Sequence, residues 1–302
     1  MKFGYFCNTT NWTHKPYHKL LDETKQITEY CDQNSWNSIW FTEHHFNHEG
    51  MESCTNPLML GADAAARTKN IRIGQAANVI TFHNPIRLAE DIATLDQLSK
   101  GRVEVGVARG VYGREAINLN KEADLKDQAK NFRLFAETLE ILKKAWSEKF
   151  FNHDGEFYTY PSPNYVWQHD MSPPSEEFMN MEDNTMKKIS VLPKPYQNPH
   201  PPIHQVVDGI RSIEWAAENN INVIMWIPTV KALKIRFEAY KNKRSEVTKK
   251  NVPLGEGVTL VRDMFVADTM EEAKEKAGQH ICLLYTSPSP RDQRGSRMPA
   301  SA

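Results

Sequence analysis

Cysteine is scarce in this chain. Only Cys7, Cys31, Cys54 and Cys282 occur, without a Cys-x-x-Cys spacing, too few and too scattered for a disulfide framework, so reduced thiols are expected. An excess of one charge is also lacking. With 37 basic against 38 acidic residues the formal net charge is −1, which leaves no electrostatic footprint for nucleic acid or an anionic membrane. Small molecules or proteins are the expected partners. No apolar run approaches the length of a membrane span, and the opening MKFGYFC reads as an alternating strand without an apolar leader core. A soluble cytoplasmic protein is expected on both counts. No internal repeat is evident.

What the chain does have is enough apolar material, 40% of 302 residues, for one large core, and a single α/β barrel is a normal outcome at this size. Strand-like runs fall at residues 2–7, 38–41, 71–76, 102–107, 203–207, 222–226 and 259–267, with helical patterns between them. Asn56-Pro57 and Asn84-Pro85 each place a capping side chain before a proline suited to the first helical position. From Pro85, Leu88, Ile92, Leu95 and Leu98 recur at helical spacing until Lys100-Gly101 stops the run. Residues 125–146 repeat the pattern through Phe132, Phe135, Leu139, Leu142 and Trp146. Seven βα units in succession predict a parallel sheet with right-handed crossovers. Residues 160–202 break the alternation with nine prolines and many Asn, Met and acidic residues. A segment this long reads either as a substrate lid at the barrel mouth or as a surface insertion.

The stretch Trp40-Phe41-Thr42-Glu43-His44-His45-Phe46 carries the strongest chemical signal, because a carboxylate and two imidazoles directly follow a buried apolar strand. In a barrel, that end of the strands holds the chemistry. A hydrogen-bonded loop without catalytic duty is the plain alternative. A zinc or non-haem iron site is another, with His48 close by. Adjacent histidines on extended backbone point to opposite faces, however, which argues against one ion shared by His44 and His45.

Met1-Lys2-Phe3-Gly4, the motif from Trp40 to Phe46, Gly74-Gln75-Ala76-Ala77, and Pro85-Ile86-Arg87-Leu88-Ala89-Glu90-Asp91 together resemble the bacterial luciferase-like flavin monooxygenases. Leu95-Asp96-Gln97-Leu98-Ser99-Lys100-Gly101-Arg102, Val107-Ala108-Arg109-Gly110 and Glu214-Trp215-Ala216-Ala217-Glu218 continue the likeness in order to about residue 280. The resemblance implies a TIM (β/α)8 barrel that holds reduced FMN at the C-terminal ends of its strands and reacts it with dioxygen. His44 matches the family's catalytic histidine, with Glu43 and His45 as its orienting neighbours. Arg109 and Arg133 match phosphate positions, as does the segment carrying Asp208, Gly209 and Ser212 at a helix N-terminus. Ala76-Ala77 matches the site of a non-prolyl cis peptide beneath the flavin ring.

The implied activity is a two-component monooxygenase that takes FMNH2 from a separate flavin reductase and oxygenates an aldehyde, alkane or similar small organic substrate. Deazaflavin (F420) dependent hydride transfer on the same barrel, a non-catalytic flavin-binding paralogue and, more distantly, a metal-dependent barrel hydrolase are the alternatives. Ala108 stands where light-emitting members carry a reactive cysteine, which favours plain oxygenation over light emission. The likeness also suggests a homodimer through the second and third helices, where the small-residue row Gly61, Ala62, Ala64, Ala65 and Ala66 permits close packing. Ordinary packing against the barrel explains the same row. From Cys282 onward the text resembles read-through of a sequencing adapter. The expected division is thus a barrel domain over residues 1–281, C-terminally truncated and lacking its last βα unit, and a non-native, disordered tail over 282–302.

Overall fold

The computed structural model describes residues 1–226 and 229–286. Its elements are β1 (Gly4–Cys7), α1 (Tyr17–Gln33), β2 (Ser38–Phe41), α2 (Pro57–Arg67), β3 (Arg72–Gln75), β4 (Asn78–Val79), α3 (Pro85–Ser99), β5 (Val103–Ala108), α4 (Gly113–Leu119), α5 (Gln128–Ser147), β6 (His153–Asp154), β7 (Thr159–Tyr160), β8 (Ile203–Val206), α6 (Ile210–Glu218), β9 (Asn222–Met225), α7 (Val230–Thr248), β10 (Val258–Leu260) and α8 (Met270–Thr286). The main strands pair in the order β1-β2-β3-β5-β8-β9-β10, with β4 also on β5, and all are parallel. This is the curved parallel sheet of a luciferase-like α/β barrel.

The capping signals act as the side-chain chemistry requires. Asn56 accepts the Met59 N–H, and Asn84 accepts those of Ile86 and Arg87, each ahead of a proline that begins its helix. α3 ends where Lys100 and Gly101 turn to φ 55° and 82°. Alternation along the strands then sorts side chains between two layers. Ile39, Phe41, Ile73, Val103, Val105 and Val107 are fully buried in the core with Leu88, Ile92, Leu95, Phe135, Leu139 and Leu142 from α3 and α5. The other face turns inward and is mixed. Trp40 fills the space over Gly74 and meets the His204 ring edge-on at 5.1 Å, while His204 Nε2 lies 2.7 Å from Glu104. The small-residue row of α2 is largely spent inside the chain, since Gly61, Ala64 and Ala65 are buried, and a Cβ on Gly61 would lie 2.9 Å from Leu95.

One expected strand is corrected. The strand anticipated at 259–267 is formed over Val258–Leu260, which pairs with β9; Val261 then donates to the Met225 carbonyl, and among the described residues no further strand pairing follows. Residues 160–202, for which a lid and a surface insertion were both open, are held at Tyr160, Lys194 and Gln197. The β6–β7 hairpin runs beside α5 and brings the Tyr160 hydroxyl to Asn84. The chain then returns to the N-terminal end of the sheet. There Gln197 donates its backbone and side-chain N–H groups to the buried Asp96 carboxylate at 2.8 Å, and Lys194 Nζ donates to the Ala145 carbonyl at the end of α5. A helix-to-strand connection starts at that end, so its anchors fall there. Lastly, α8 continues past Cys282 to Thr286, and the rest of the expected tail, 287–302, lies outside the described residues.

Candidate active site

Parallel strands deliver their C-terminal residues to one end of the sheet, and Thr42, Glu43, His44 and His45 leave β2 there. Extended backbone sends Glu43 and His45 to one side and His44 to the other. Glu43 is almost wholly buried. Its Oε1 receives Nε2 of His83 at 2.8 Å and Nε2 of His45 at 3.0 Å, and its Oε2 accepts the Val79 N–H at 2.7 Å. Burial pushes the Glu43 carboxyl up, but the hydrogen bonds from His45 and His83, the charge of His83 and the Val79 N–H outweigh it and hold the group below the usual range. For His83 burial acts downward, yet the bond to Glu43 and the charges of Glu43 and Asp91 leave its imidazole above its ordinary value. Glu43 and His83 also line a cavity of about 380 Å³ between α2 and α3, together with Asn56, Met59, Asp91 and Leu98.

On the opposite side, His44 sits between two carboxylates. Nε2 is 3.4 Å from Glu52 and Nδ1 is 3.5 Å from Glu115. The Tyr112 hydroxyl donates to the second oxygen of Glu52 at 2.8 Å, and its ring meets the His44 ring edge-on at 5.4 Å. Glu115 also accepts the backbone N–H of His45 at 2.6 Å, and the His44 N–H donates to the Cys54 carbonyl. Burial, then the charge and hydrogen bond of Glu52, push the Tyr112 phenol up, so it stays a proton donor.

β3 ends in a cis peptide between Ala76 and Ala77. Gly106 on β5 makes room for that turn, since a Cβ there would lie 1.6 Å from the Gln75 carbonyl oxygen. On the segments at the ends of β2 and β3, Thr42 Oγ1, Gln75 Nε2 and His44 Nδ1 are buried with no hydrogen-bond partner among the described residues.

Arg109 directly follows β5. Its carbonyl accepts from Asn131 and Thr81, and its guanidinium lies 5.7 Å from the centre of the Phe132 ring, which in turn meets Trp215 of α6 edge-on. At the start of α6, Gly209 is the N-cap with no capping side chain, and a Cβ there would meet nothing within 4 Å. Arg236 holds Asp208, with its Nε donating to the Asp208 carbonyl at 2.7 Å and its Nη2 3.8 Å from the carboxylate. Ser212 sits in the first turn, where its N–H is taken by the Gly209 carbonyl. Arg133 lies apart from these residues. It is on the outward face of α5 with Glu137, Glu140 and Lys144, bonded through two nitrogens to Glu156. Matching a position on a helix does not fix which face it occupies, and Asn131 and Leu134 hold the inward one. Sequence reasoning did not find Glu52, His83, Tyr112, Glu115 or Arg236. Only Tyr112 and Glu115 carried a usable signal, their place just beyond the C-terminal end of a barrel strand.

The parallel strands and their polar C-terminal ends form an α/β barrel site, and the family model for luciferase-like monooxygenases matches residues 1–299. The chain belongs to that family. It is 26% identical over 285 residues to the oxygenase component of a flavin-dependent trigonelline monooxygenase from Acinetobacter baylyi, covering 92% of this chain and 69% of that protein. It is 27% identical over 253 residues to the alkanal monooxygenase alpha chain of Photorhabdus luminescens, covering 82% and 59%. Among solved structures, the oxygenating constituent of 3,6-diketocamphane monooxygenase from Pseudomonas putida, a type II Baeyer-Villiger enzyme in complex with FMN, superposes with a TM-score of 0.76 at 22% identity, covering 95% of this chain and 74% of that one. No helix among the described residues is long and apolar enough to cross a membrane.

Proposed function

We propose that this chain is the oxygenase component of a two-component flavin monooxygenase, which binds reduced FMN across the C-terminal ends of β2, β3, β5 and β8 and oxygenates a small organic substrate. One observation carries the reading. His44, the cis Ala76–Ala77 peptide and the unpartnered buried atoms Thr42 Oγ1 and Gln75 Nε2 all lie at the C-terminal ends of β2 and β3, the end of the sheet where such barrels do chemistry. The residues present fit the cofactor. Ala76 and Ala77 offer backbone with only methyl groups to obstruct a flat ring, and Arg109 with the Asp208 to Ser212 segment offers a cation and an open helix N-terminus for its phosphate.

Reduced FMN, when bound, supplies the electrons that activate dioxygen. The chain does the rest. His44 can hold or pass a proton at Nε2, the atom facing Glu52, and Tyr112 keeps the far side of that carboxylate occupied. Glu43 fixes His45 and His83 and ties β2 to β4, so it orients the site from behind. A flavin reductase that delivers FMNH2 is the implied protein partner, following the naming of the trigonelline relative as an oxygenase component, and a cytoplasmic location is part of the proposal. Homodimerisation through α2 and α3 is part of the proposal, supported by the exposed Met59 and Leu98 beside the cavity between those helices.

Anaerobic titration with FMNH2, followed by dioxygen consumption with candidate aldehydes and ketones, tests the reading. His44→Ala is expected to bind FMNH2 nearly as well as the parent chain while turnover falls by roughly 10²–10⁴-fold. Absence of flavin binding by the parent chain, or full turnover in His44→Ala, would refute it.

A further inference from the structure

We propose that Glu52 is a positioning residue for His44, clamping its imidazole through Nε2 and itself locked by the Tyr112 hydroxyl. The proposal rests on the reading of His44 as the working histidine and adds a residue outside the Trp40 to Phe46 motif. Glu52 lies in the irregular segment between β2 and α2, where a solvated glutamate would be ordinary, yet its side chain is only 11% exposed. A buried carboxylate needs partners, and Glu52 has two on opposite oxygens: Tyr112 donates to Oε2 at 2.8 Å, and His44 Nε2 stands 3.4 Å from Oε1.

Among the described residues, the groups around the ring leave Glu52 as its partner on the Nε2 side. From α4, Glu115 faces Nδ1 at 3.5 Å, fully buried and already engaged by the His45 N–H. From the segment before α4, Tyr112 closes one edge of the ring. Arg114 lies over the other side of the Tyr112 ring, and its charge is taken by Glu49. Behind the ring, the Cys54 carbonyl accepts the His44 backbone N–H. Backbone is therefore held by Cys54, while rotation of the ring is opposed by the two carboxylates. Without Glu52 the imidazole is flanked by Glu115 alone and its ring is freer to rotate. A proton-handling group acts only within hydrogen-bond reach of its target, so loss of that orientation costs turnover rather than binding.

The test uses the flavin-free chain first, so that its outcome does not depend on the cofactor assignment. In ¹⁵N-labelled protein, the His44 ring N–H signals, assigned by their loss in His44→Gln, should exchange slowly with water. Glu52→Gln, which keeps the shape and removes the charge, should speed exchange of the Nε2 proton at least tenfold, and Tyr112→Phe should have a smaller effect in the same direction. With FMNH2 and substrate, Glu52→Gln should lower kcat about tenfold with KM little changed, and Glu52→Asp should recover part of the loss. Unchanged ring exchange in Glu52→Gln would overturn the proposal. Changed exchange in a chain that binds no flavin would instead uphold the clamp and refute the oxygenase reading. Equal melting temperatures for parent and Glu52→Gln separate either result from misfolding.

Discussion

Replacing Glu43 by Gln should convert a pH-dependent clamp into a pH-independent weak point. The carboxylate accepts three donors, the Val79 N–H at 2.7 Å, His83 at 2.8 Å and His45 at 3.0 Å, from a side chain that is 1% exposed. Hydrogen bonds to a charged group contribute about 1.5–3 kcal/mol each. His83 is 36% exposed, so solvent screening reduces its share to about 0–1 kcal/mol. A glutamine can still accept from Val79 but turns its own N–H groups toward the imidazoles, so the expected loss is about 2–4 kcal/mol near pH 6. For a domain of this size that corresponds to a fall in Tm of about 3–6 °C. The sign with pH follows from the two shifts. Glu43 is held below its ordinary 4.5, so its contribution is present above that value and lost as pH falls through the depressed folded value. His83 is raised above 6.5, so its contribution is complete below that value and lost as pH rises through the raised one. The parent chain should therefore be most stabilised by this pair between about pH 4.5 and 6.5, and Glu43→Gln should flatten both limbs. Urea melts of both proteins from pH 4 to 9 measure this. Parallel curves, offset by a constant amount or not at all, would refute the assignment of the pH dependence to Glu43 and His83.

Arg109→Ala should weaken FMN binding by about 10–100-fold and riboflavin binding much less, because only FMN carries the phosphate; equal losses in a fluorescence titration would move Arg109 out of the phosphate site. Gly106→Ala forces a Cβ to within 1.6 Å of the Gln75 carbonyl oxygen and should destabilise by about 3 kcal/mol or more, measured as a lowered urea midpoint. Gln197→Ala strips a hydrogen bond from the fully buried Asp96 and should cost about 1–3 kcal/mol while leaving FMN affinity unchanged, since it acts at the far end of the sheet. An altered FMN affinity there would contradict the placement of the 160–202 segment.

The helices were legible because their signals are local. Asn-Pro at two helix starts and Lys100-Gly101 at a helix end are satisfied within a few residues of chain, and the structure uses them so. The seven anticipated strands were placed to within two residues except at β10, where extent depends on a neighbouring strand, while the two-residue strands β4, β6 and β7 were not anticipated. The site was legible only in its first third. Glu43, His44 and His45 announce themselves as polar residues at a buried strand's end. Their partners do not, because Tyr112 reaches Glu52 across 60 residues and Val79 reaches Glu43 across 36. No periodicity records such a pairing. The position of the 160–202 segment could have been reasoned, since a connection from helix to strand begins at the N-terminal end of a parallel sheet, whereas its proline content speaks only to irregularity.

The alternation that argued against a shared metal ion also explains how three consecutive polar residues avoid competing. Glu43 and His45 point to one side and saturate each other, with His83 and the Val79 N–H completing the set. A saturated buried network is rigid and has little capacity left for a ligand. His44, on the other side, has no hydrogen bond at Nδ1 and only long approaches, 3.4 and 3.5 Å, to the carboxylates that flank it. That leaves hydrogen-bonding capacity on the ring that the saturated Glu43 network lacks. The same motif therefore supplies a fixed foundation and an unsaturated residue from adjacent positions, and the chemistry falls to His44 because its neighbours are already committed.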